Sequence, residues 1–297
     1  SALASNTTAS DNTAVGYQAA YSNTTGSPIT AIGRKALYTN TTGVDNTALG
    51  RNSLFYNTTG QDNTSSGNEA MQANTTGSYN TAYGSDALRS NTTASNNTAV
   101  GYRSLQANTA AQNTAVGQDS FYTNTTGSYN AALGFMAGYS NTSGGNNTAI
   151  GYQSLLANTT GSALTAVGTA ALDANTTGID NTAVGVSSLG GNTTGNYNVA
   201  VGRTALLNNT TASYNTALGY QAGYAYNGAL GSNTFIGFNS GKQSTGDSNT
   251  FVGARVISSG KGCGQNMTTG AKNTILGAYS GNQGGLDIRT SSNNIVL

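Results

Sequence analysis

A glycine returns every 17 residues through most of this chain. It stands at Gly16, Gly33, Gly50, Gly67, Gly84 and Gly101, and again at Gly117, Gly134, Gly151, Gly168, Gly185, Gly202 and Gly219. Each closes a motif Asn-Thr-Ala-aliphatic-Gly or a variant of it. One step alone is shorter, the 16 residues from Gly101 to Gly117. A second motif, Asn-Thr-Thr-Gly, keeps the same phase at Asn23, Asn40, Asn57, Asn74, Asn124, Asn158, Asn175 and Asn192. Variants hold that phase at Asn6, Asn91, Asn108, Asn141 and Asn209. A disordered low-complexity tract has no reason to hold such a register, so the chain is read as an array of stacked units.

A unit of 17 residues is too short for a helical pair, which needs more than about 30. Its Gly, Asn and Thr also disfavour helix. Each unit reads as strand, turn, strand, turn. The first strand is Asn-Thr-Ala-Val-Gly, as at Asn12 to Gly16, and the second is centred on Ala-Leu, as at Ala36-Leu37 and Ala205-Leu206. Asn-Thr-Thr-Gly supplies a turn, because Asn and Gly tolerate positive φ. The fold expected is all-β: a parallel β-solenoid of about 16 coils, left-handed, intertwined or packed as a homotrimer.

Strand residues alternate between faces. In Asn-Thr-Ala-Val-Gly the Thr and aliphatic residues share one face, and Asn, Ala and Gly share the other. The aliphatic row, including Val15, Ile32, Leu49, Val100, Ile150 and Leu218, is expected to fill the coil interior. The alanine row opposite (Ala14, Ala31, Ala48, Ala99, Ala149, Ala217) is expected to form a wall against other chains. Ile29 and Leu164 replace the asparagine of that wall, as a strand buried on both faces would allow. The asparagines Asn12, Asn46, Asn80, Asn97, Asn113, Asn130, Asn147, Asn181 and Asn215 are expected to stack as amide ladders along the axis. The competing reading makes them turn residues with no interface. Ser66, in the aliphatic row, is expected to mark a weak coil.

The regularity divides the chain into 1–222 and 223–297. Beyond 222 the related glycines are Gly237, Gly253 and Gly277, and Phe235, Phe251 and Ile275 take the alanine position. The longer step before Gly277 implies an inserted loop near 258–265, holding Cys263, in a terminal capping variant that ends in a transition segment.

Composition excludes much chemistry. The 297 residues include 39 Asn, 46 Thr and 41 Gly, but only 11 Lys+Arg and 10 Asp+Glu, with no His, no Trp and one Cys. Without His the commonest general base and metal ligand is missing. One Cys permits no internal disulfide. A net charge of +1 leaves no electrostatic footprint for nucleic acid or an anionic membrane. No apolar run approaches the ~18 residues of a membrane span. Ser1-Ala2-Leu3-Ala4 carries no signal-peptide pattern, and the chain starts inside a repeat, so a fragment or processed product is expected.

Coils such as Asn12 to Ala19 (Asn-Thr-Ala-Val-Gly-Tyr-Gln-Ala), with Asn-Thr-Thr-Gly turns, resemble the repeats of trimeric autotransporter adhesin heads. Those heads use a related Ser-Val-Ala-Ile-Gly strand in a left-handed parallel β-roll wound as a trimer. The 17-residue coil is longer than theirs, and it more closely resembles repeats of bacteriophage tail-fibre proteins, which often carry a C-terminal self-cleaving chaperone domain. The segment Asp287 to Leu297 is similar to the lead into such a domain. The resemblance covers essentially the whole chain. It implies a homotrimeric fibre segment, in a virion or on a cell surface, that projects a tip toward a host receptor or glycan.

Candidate site residues are few. Tyrosines recur in phase after the strand glycine (Tyr17, Tyr102, Tyr152, Tyr220), before the strand asparagine (Tyr79, Tyr129, Tyr197, Tyr214) and five residues after the glycine (Tyr21, Tyr38, Tyr122, Tyr139, Tyr224). Such rows can stack on glycans, or simply on one another. Thr rows (Thr13, Thr47, Thr98, Thr148, Thr216) could present a hydroxyl array of the kind ice-binding solenoids use, or serve as β-branched strand filler. Asp11, Asp45, Asp62, Asp119, Asp173 and Asp180 are scattered singly, without the Asp-x-Asp of a calcium roll. Cys263 reads as a lone loop thiol with no His to activate it. The expected role is structural: no enzyme, no cofactor, no metal, no nucleic acid and no membrane insertion. A phage tail fibre is the first reading, a bacterial surface adhesin head binding glycan or matrix the alternative, and an ice-binding solenoid the third.

Overall fold

Each repeat builds one coil, and each coil contributes one short strand of three or four residues. The computed structural model describes residues 1–253 and 260–297. The chain divides into two compact units, Ser1–Asn146 and Asn147–Leu297. The change in regularity after residue 222 falls inside the second. In the first unit the strands are β1 (Thr13–Val15), β2 (Ile29–Ile32), β3 (Asn46–Leu49), β4 (Thr64–Ser66), β5 (Thr81–Tyr83), β6 (Thr98–Val100), β7 (Thr114–Val116) and β8 (Ala131–Leu133). In the second they are β9 (Thr148–Ile150), β10 (Thr165–Val167), β11 (Thr182–Val184), β12 (Val199–Val201), β13 (Thr216–Leu218), β14 (Thr234–Ile236), β15 (Thr250–Val252) and β16 (Thr274–Leu276). A small hairpin of β17 (Asn282–Gln283) and β18 (Leu286–Asp287) follows, and then β19 (Ile295–Val296). In the first unit β1 to β8 pair parallel in succession, in the second β9 to β16 do so, and β16 pairs parallel with β19. Register is strict: Thr faces Thr and Ala faces Ala from coil to coil. This is a parallel β-solenoid of about 16 turns with no helix among the described residues.

The interior reverses the expected assignment of the two strand faces. Alternation fixes which residues share a face but not which face turns inward. The alanines are the buried ones: Ala31, Ala48, Ala99, Ala149 and Ala217 are fully covered by their own coil. The aliphatic row expected inside points outward, with Val15 59% and Leu49 47% exposed. The alanine row is therefore no wall against other chains. The coil is too narrow for two branched rows, because the Ala-Leu segment already crosses its lumen. Leu37, Leu54, Leu88, Leu105, Leu172 and Leu206 are fully buried there.

That Ala-Leu segment is not a second strand. Its alternate residues take left-handed φ, as at Asn52 (56°) and Leu54 (49°), which no strand permits. The left-handed region is unfavourable for a leucine, and it is held here by burial and by a ladder to the next coil. Leu37 N donates to Ser53 O, and Thr39 N to Phe55 O, both at 3.0 Å. The strand glycine is obligatory for a different reason. Gly50 has φ +133°, and a Cβ there would lie 2.4 Å from Gly67 O.

Two asparagine columns complete the core. In the strand column, each Oδ1 accepts the backbone N–H one coil on. Ile29 N donates to Asn12, Asn63 N to Asn46, Asn97 N to Asn80 and Asn113 N to Asn97, at 2.9 to 3.1 Å. Asn130 N donates in the same way to Asn113, Leu164 N to Asn147, Asn198 N to Asn181 and Asn233 N to Asn215. Asn130 itself donates through Nδ2 to Gly144 O at 2.9 Å. The second column is the asparagine of Asn-Thr-Thr-Gly, buried rather than merely turning. Asn40 Nδ2 donates to Asn23 Oδ1 and Asn57 Nδ2 to Asn40 Oδ1, both at 2.8 Å, and each also donates to the glycine carbonyl three residues on. A buried amide is tolerable only when paired. The columns pair it without end, as long as the period holds.

The 16-residue coil shows what the period protects. Deleting one residue shifts Asn108 so that its Nδ2 bonds Ala110 O instead of the coil before it. Asn91 Oδ1 and Asn97 Nδ2 are left buried without partners. By contrast, the Ser66 coil keeps its register. Ser66 faces outward, and its neighbour Ser65 is buried but bonded, accepting from Ser53 Oγ at 2.7 Å and donating to Ala70 O at 3.0 Å. It is not a weak point of the core.

Past residue 222 the core is repartitioned. Phe235, Phe251 and Ile275 fill the alanine column and are buried. The leucine column becomes Gly223, Gly241 and Gly264, whose Cβ positions would lie 2.4 to 2.5 Å from the phenylalanine rings. Of the predicted loop 258–265, Ser258 and Ser259 lie outside the described residues. Cys263 is not a loop thiol. It is buried in the column that holds Ser104, Ser188 and Ser240 in other coils, and like them it donates to a strand carbonyl, Ile275 O at 3.4 Å. Burial pushes its pKa up to about 12.

Candidate interaction surface

With the core accounted for, the outward strand face is what each unit offers. Its two rows come from alternate strand positions, so they run side by side along the stacked strands. In the second unit one row reads Thr148, Thr165, Thr182, Val199, Thr216 and Thr234, and the other Ile150, Val167, Val184, Val201, Leu218 and Ile236. In the first unit the aliphatic row is interrupted by Ser66 and Tyr83. No charged residue stands in either row of any strand from β1 to β16. Among the described residues, no strand threonine hydroxyl bonds another group of the chain. The first threonine of each Asn-Thr-Thr does, as Thr24 Oγ1 donates to Thr41 O at 3.0 Å. The face is thus uncharged and apolar along one row, with unspent hydroxyls along the other. Exposed apolar surface this contiguous is the usual mark of an interaction site.

The predicted tyrosines lie elsewhere. Tyr17, Tyr102, Tyr152 and Tyr220 occupy the corner just after the strand glycine and are all exposed. Arg34, Arg51, Asn68 and Ser85 stand between the first two, so no continuous aromatic platform forms. Where tyrosines do adjoin, they cover one another. Ring centroids are 5.4 Å apart for Tyr21–Tyr38, 5.2 Å for Tyr122–Tyr139, 5.2 Å for Tyr197–Tyr214 and 5.3 Å for Tyr220–Phe238, all stacked. In each stacked pair the neighbouring ring covers one face of its partner. Arg103 lies 4.8 and 4.9 Å from the Tyr102 and Tyr122 rings while binding Asp119 at 2.7 Å.

Several of the charged groups pair with one another. Arg51, Glu69, Arg89 and Asp86 form one linked set of ion pairs on the surface. Among the described residues, no three His, Cys, Asp or Glu side chains converge as metal ligands. Among the described residues, no helix is long and apolar enough to cross a membrane. Compared with family models, with curated proteins and with solved structures, the chain matches none.

Hydrophobicity alone does not show which side of the strand is interior in a coil this narrow. The signal that could have found it is the Ala-Leu segment: a buried leucine column and a narrow coil leave room only for alanine opposite.

Proposed function

We propose that the chain is a structural, non-enzymatic segment of a self-assembled fibre, in which copies pack through the outward Thr/aliphatic face to form a homotrimer. The observation that carries this reading is the uninterrupted aliphatic row of β9 to β16 standing outside a core that is already full. Burying such side chains contributes about 25 cal/mol per Å², and only another molecule can cover them. The strand motif and its turns resemble phage tail-fibre and adhesin-head repeats, which favours a fibre that projects a recognition tip from a phage tail. A bacterial surface adhesin is the nearest alternative. Native mass measurement tests the assembly: a trimer supports it, and a well-folded monomer ends it.

The free strand hydroxyls favour a second reading, an ice-binding face, which needs the same surface open to water. Thermal hysteresis by a monomer would replace the fibre reading with this one.

A further inference from the structure

A chain with 39 asparagines is open to one particular reaction, attack of the following backbone nitrogen on the side-chain amide. The solenoid opposes it in two ways. Most of the asparagines precede Thr, whose branched Cβ crowds that nitrogen. The nitrogen is also engaged in the ladder: Thr41 N donates to Thr58 O, Thr47 N to Asn63 O and Thr176 N to Thr193 O, at 2.8 to 3.0 Å. Engagement persists where a smaller residue follows. After Asn52 and Asn239, Ser53 N donates to Gly50 O at 3.4 Å and Ser240 N to Gly237 O at 3.2 Å.

Asn227 has neither protection. It precedes Gly228, in the single Asn-Gly step of the chain. Gly228 has no Cβ to crowd its nitrogen, and among the described residues its N–H donates to no other group. Asn227 is exposed, next to the Tyr226 that ends the turn column of asparagines. Its Oδ1 accepts from Thr210 Oγ1 at 2.7 Å. One coil earlier the equivalent hydroxyl is spent on a backbone carbonyl, Thr193 Oγ1 donating to Thr210 O. A donor on Oδ1 stabilises the negative charge that this oxygen gains when Cγ is attacked.

We propose that Asn227-Gly228 is a site of spontaneous deamidation and backbone isomerisation, with Thr210 as its positioning residue. Gly228 N gives up its proton to hydroxide and bonds to Asn227 Cγ. The Cγ–Nδ2 bond breaks, and the nitrogen leaves with that proton as ammonia. Water then opens the cyclic imide. Attack at Cγ gives aspartate, and attack at the Asn227 backbone carbonyl gives isoaspartate, in which the chain runs through Cγ. One water is taken up, one ammonia is released, and nothing is oxidised or reduced. The product alters what braces this segment. Asp247 Oδ1 accepts from Tyr226 Oη and from Gly231 N, on either side of the step. A Cβ on Gly228 would lie 2.4 Å from that oxygen. Isoaspartate adds a backbone carbon between the two braces and a carboxylate beside Asp247, and is expected to release Gly231 N. None of this depends on assembly.

Ageing the full chain at mildly alkaline pH in water labelled with heavy oxygen, followed by peptide mapping with electron-transfer fragmentation, tests the site. Asn227 is expected to convert about ten-fold faster or more than any Asn-Thr step, where a ladder bond must first open. The expected product is a mixture of isoaspartate and aspartate, each carrying solvent oxygen. Aspartate alone would mean direct hydrolysis and overturn the imide route. An intact Asn227, or equal conversion at Asn-Thr steps, overturns the site. Thr210→Val is expected to slow conversion several-fold, and faster conversion would overturn its assisting role. Hydrogen exchange at the Gly231 amide is expected to quicken in the aged protein but not in Asn227→Gln aged beside it. Equal exchange in the two would overturn the release.

Discussion

Two regions of the second unit solve the same packing problem with opposite choices. In the coils of β9 to β12 the strand supplies alanine and the turn segment supplies leucine, as with Ala166 and Leu172. In the coils of β14 and β15 the strand supplies phenylalanine and the turn segment supplies glycine, as with Phe235 and Gly241. Both fill the lumen, and both hold the register that aligns Thr216 with Thr234 and Thr234 with Thr250. What stays filled is therefore the lumen shared by a coil and its neighbours, not the identity of either column: Gly223, in a coil whose strand supplies only Ala217, is covered by the Phe235 ring of the next coil. In the first unit the exchange runs between neighbouring coils: Phe121 and Gly138 occupy the same turn-segment position in successive coils, and a Cβ on Gly138 would lie 2.2 Å from the Phe121 ring.

Swapping one member of a pair should break the comparison most severely. Gly241 has φ +59°, close to the φ 50° that Leu206 adopts at the equivalent position, so backbone strain is no obstacle to leucine there. Volume is: a Cβ would lie 2.4 Å from Phe235 Cδ1. Phe235→Ala alone is expected to cost about 3–5 kcal/mol through its cavity, and Gly241→Leu at least about 3 kcal/mol through overpacking. The double variant recreates a regular coil and should cost less than either. Denaturant unfolding of the three variants checks this, and additive costs would refute the volume account.

The asparagine columns sharpen the same comparison. The strand column runs through both regions, with Asn249 N donating to Asn233 Oδ1 at 2.8 Å and Asn273 N to Asn249 Oδ1 at 2.9 Å. The turn column does not. It stops at Asn209, whose Oδ1 is buried and unpaired, because Tyr226 takes the next place and donates to Asp247 Oδ1 instead. Asn175→Ala removes two donated bonds and one accepted bond in mid-column, and is expected to cost about 3 kcal/mol by chemical denaturation. Asn209→Ala, which already lacks the accepted bond, should cost about 1 kcal/mol less.

How much of this could be read from residues alone follows from where each constraint acts. The period, the strand at Asn-Thr-Ala-Val-Gly and the looser coils after 222 are written locally, because glycine at φ near +130° and parallel pairing leave marks at fixed spacing. The interior face was not legible. Period-2 alternation groups Thr with Val and Asn with Ala, but only the coil's width decides which pair is enclosed. That width is set by the left-handed φ of residues such as Leu54 and Leu172, a conformation no side-chain pattern announces. The outward face, the candidate site, was lost with it. Its residues are legible in the strand motif, but their hydrophobicity points to the core.

The 16-residue coil offers a gain where the other substitutions bring losses. It breaks the turn column inside the regular coils, as Tyr226 does at their end. One residue inserted between Thr109 and Ala110 should return Asn108 to phase, giving Asn91 Oδ1 a donor and Asn97 Nδ2 a carbonyl. Each buried unpaired group costs about 1–3 kcal/mol, and the longer turn returns little of that in closure entropy. The insertion is expected to raise the stability of the first unit by about 1–2 kcal/mol, read as a higher denaturation midpoint. An unchanged midpoint would mean that water already satisfies both groups.

The smallest effect belongs to the aromatic stacks. Tyr197 and Tyr214 are 5.2 Å apart with planes 9° from parallel, and both stand out from the coil. An aromatic pair contributes about 0.5–1.5 kcal/mol beyond area burial, and an exposed one falls at the low end. Tyr197→Ala is expected to cost about 0.5 kcal/mol, near the limit of denaturant unfolding, and to leave assembly unchanged. That second readout decides what the row is for. A tyrosine that only stacks on its neighbour can be lost without consequence for the Thr/aliphatic face. If Tyr197→Ala abolished assembly, the corner row would belong to the interface, and the boundary drawn here between face and edge would have to move.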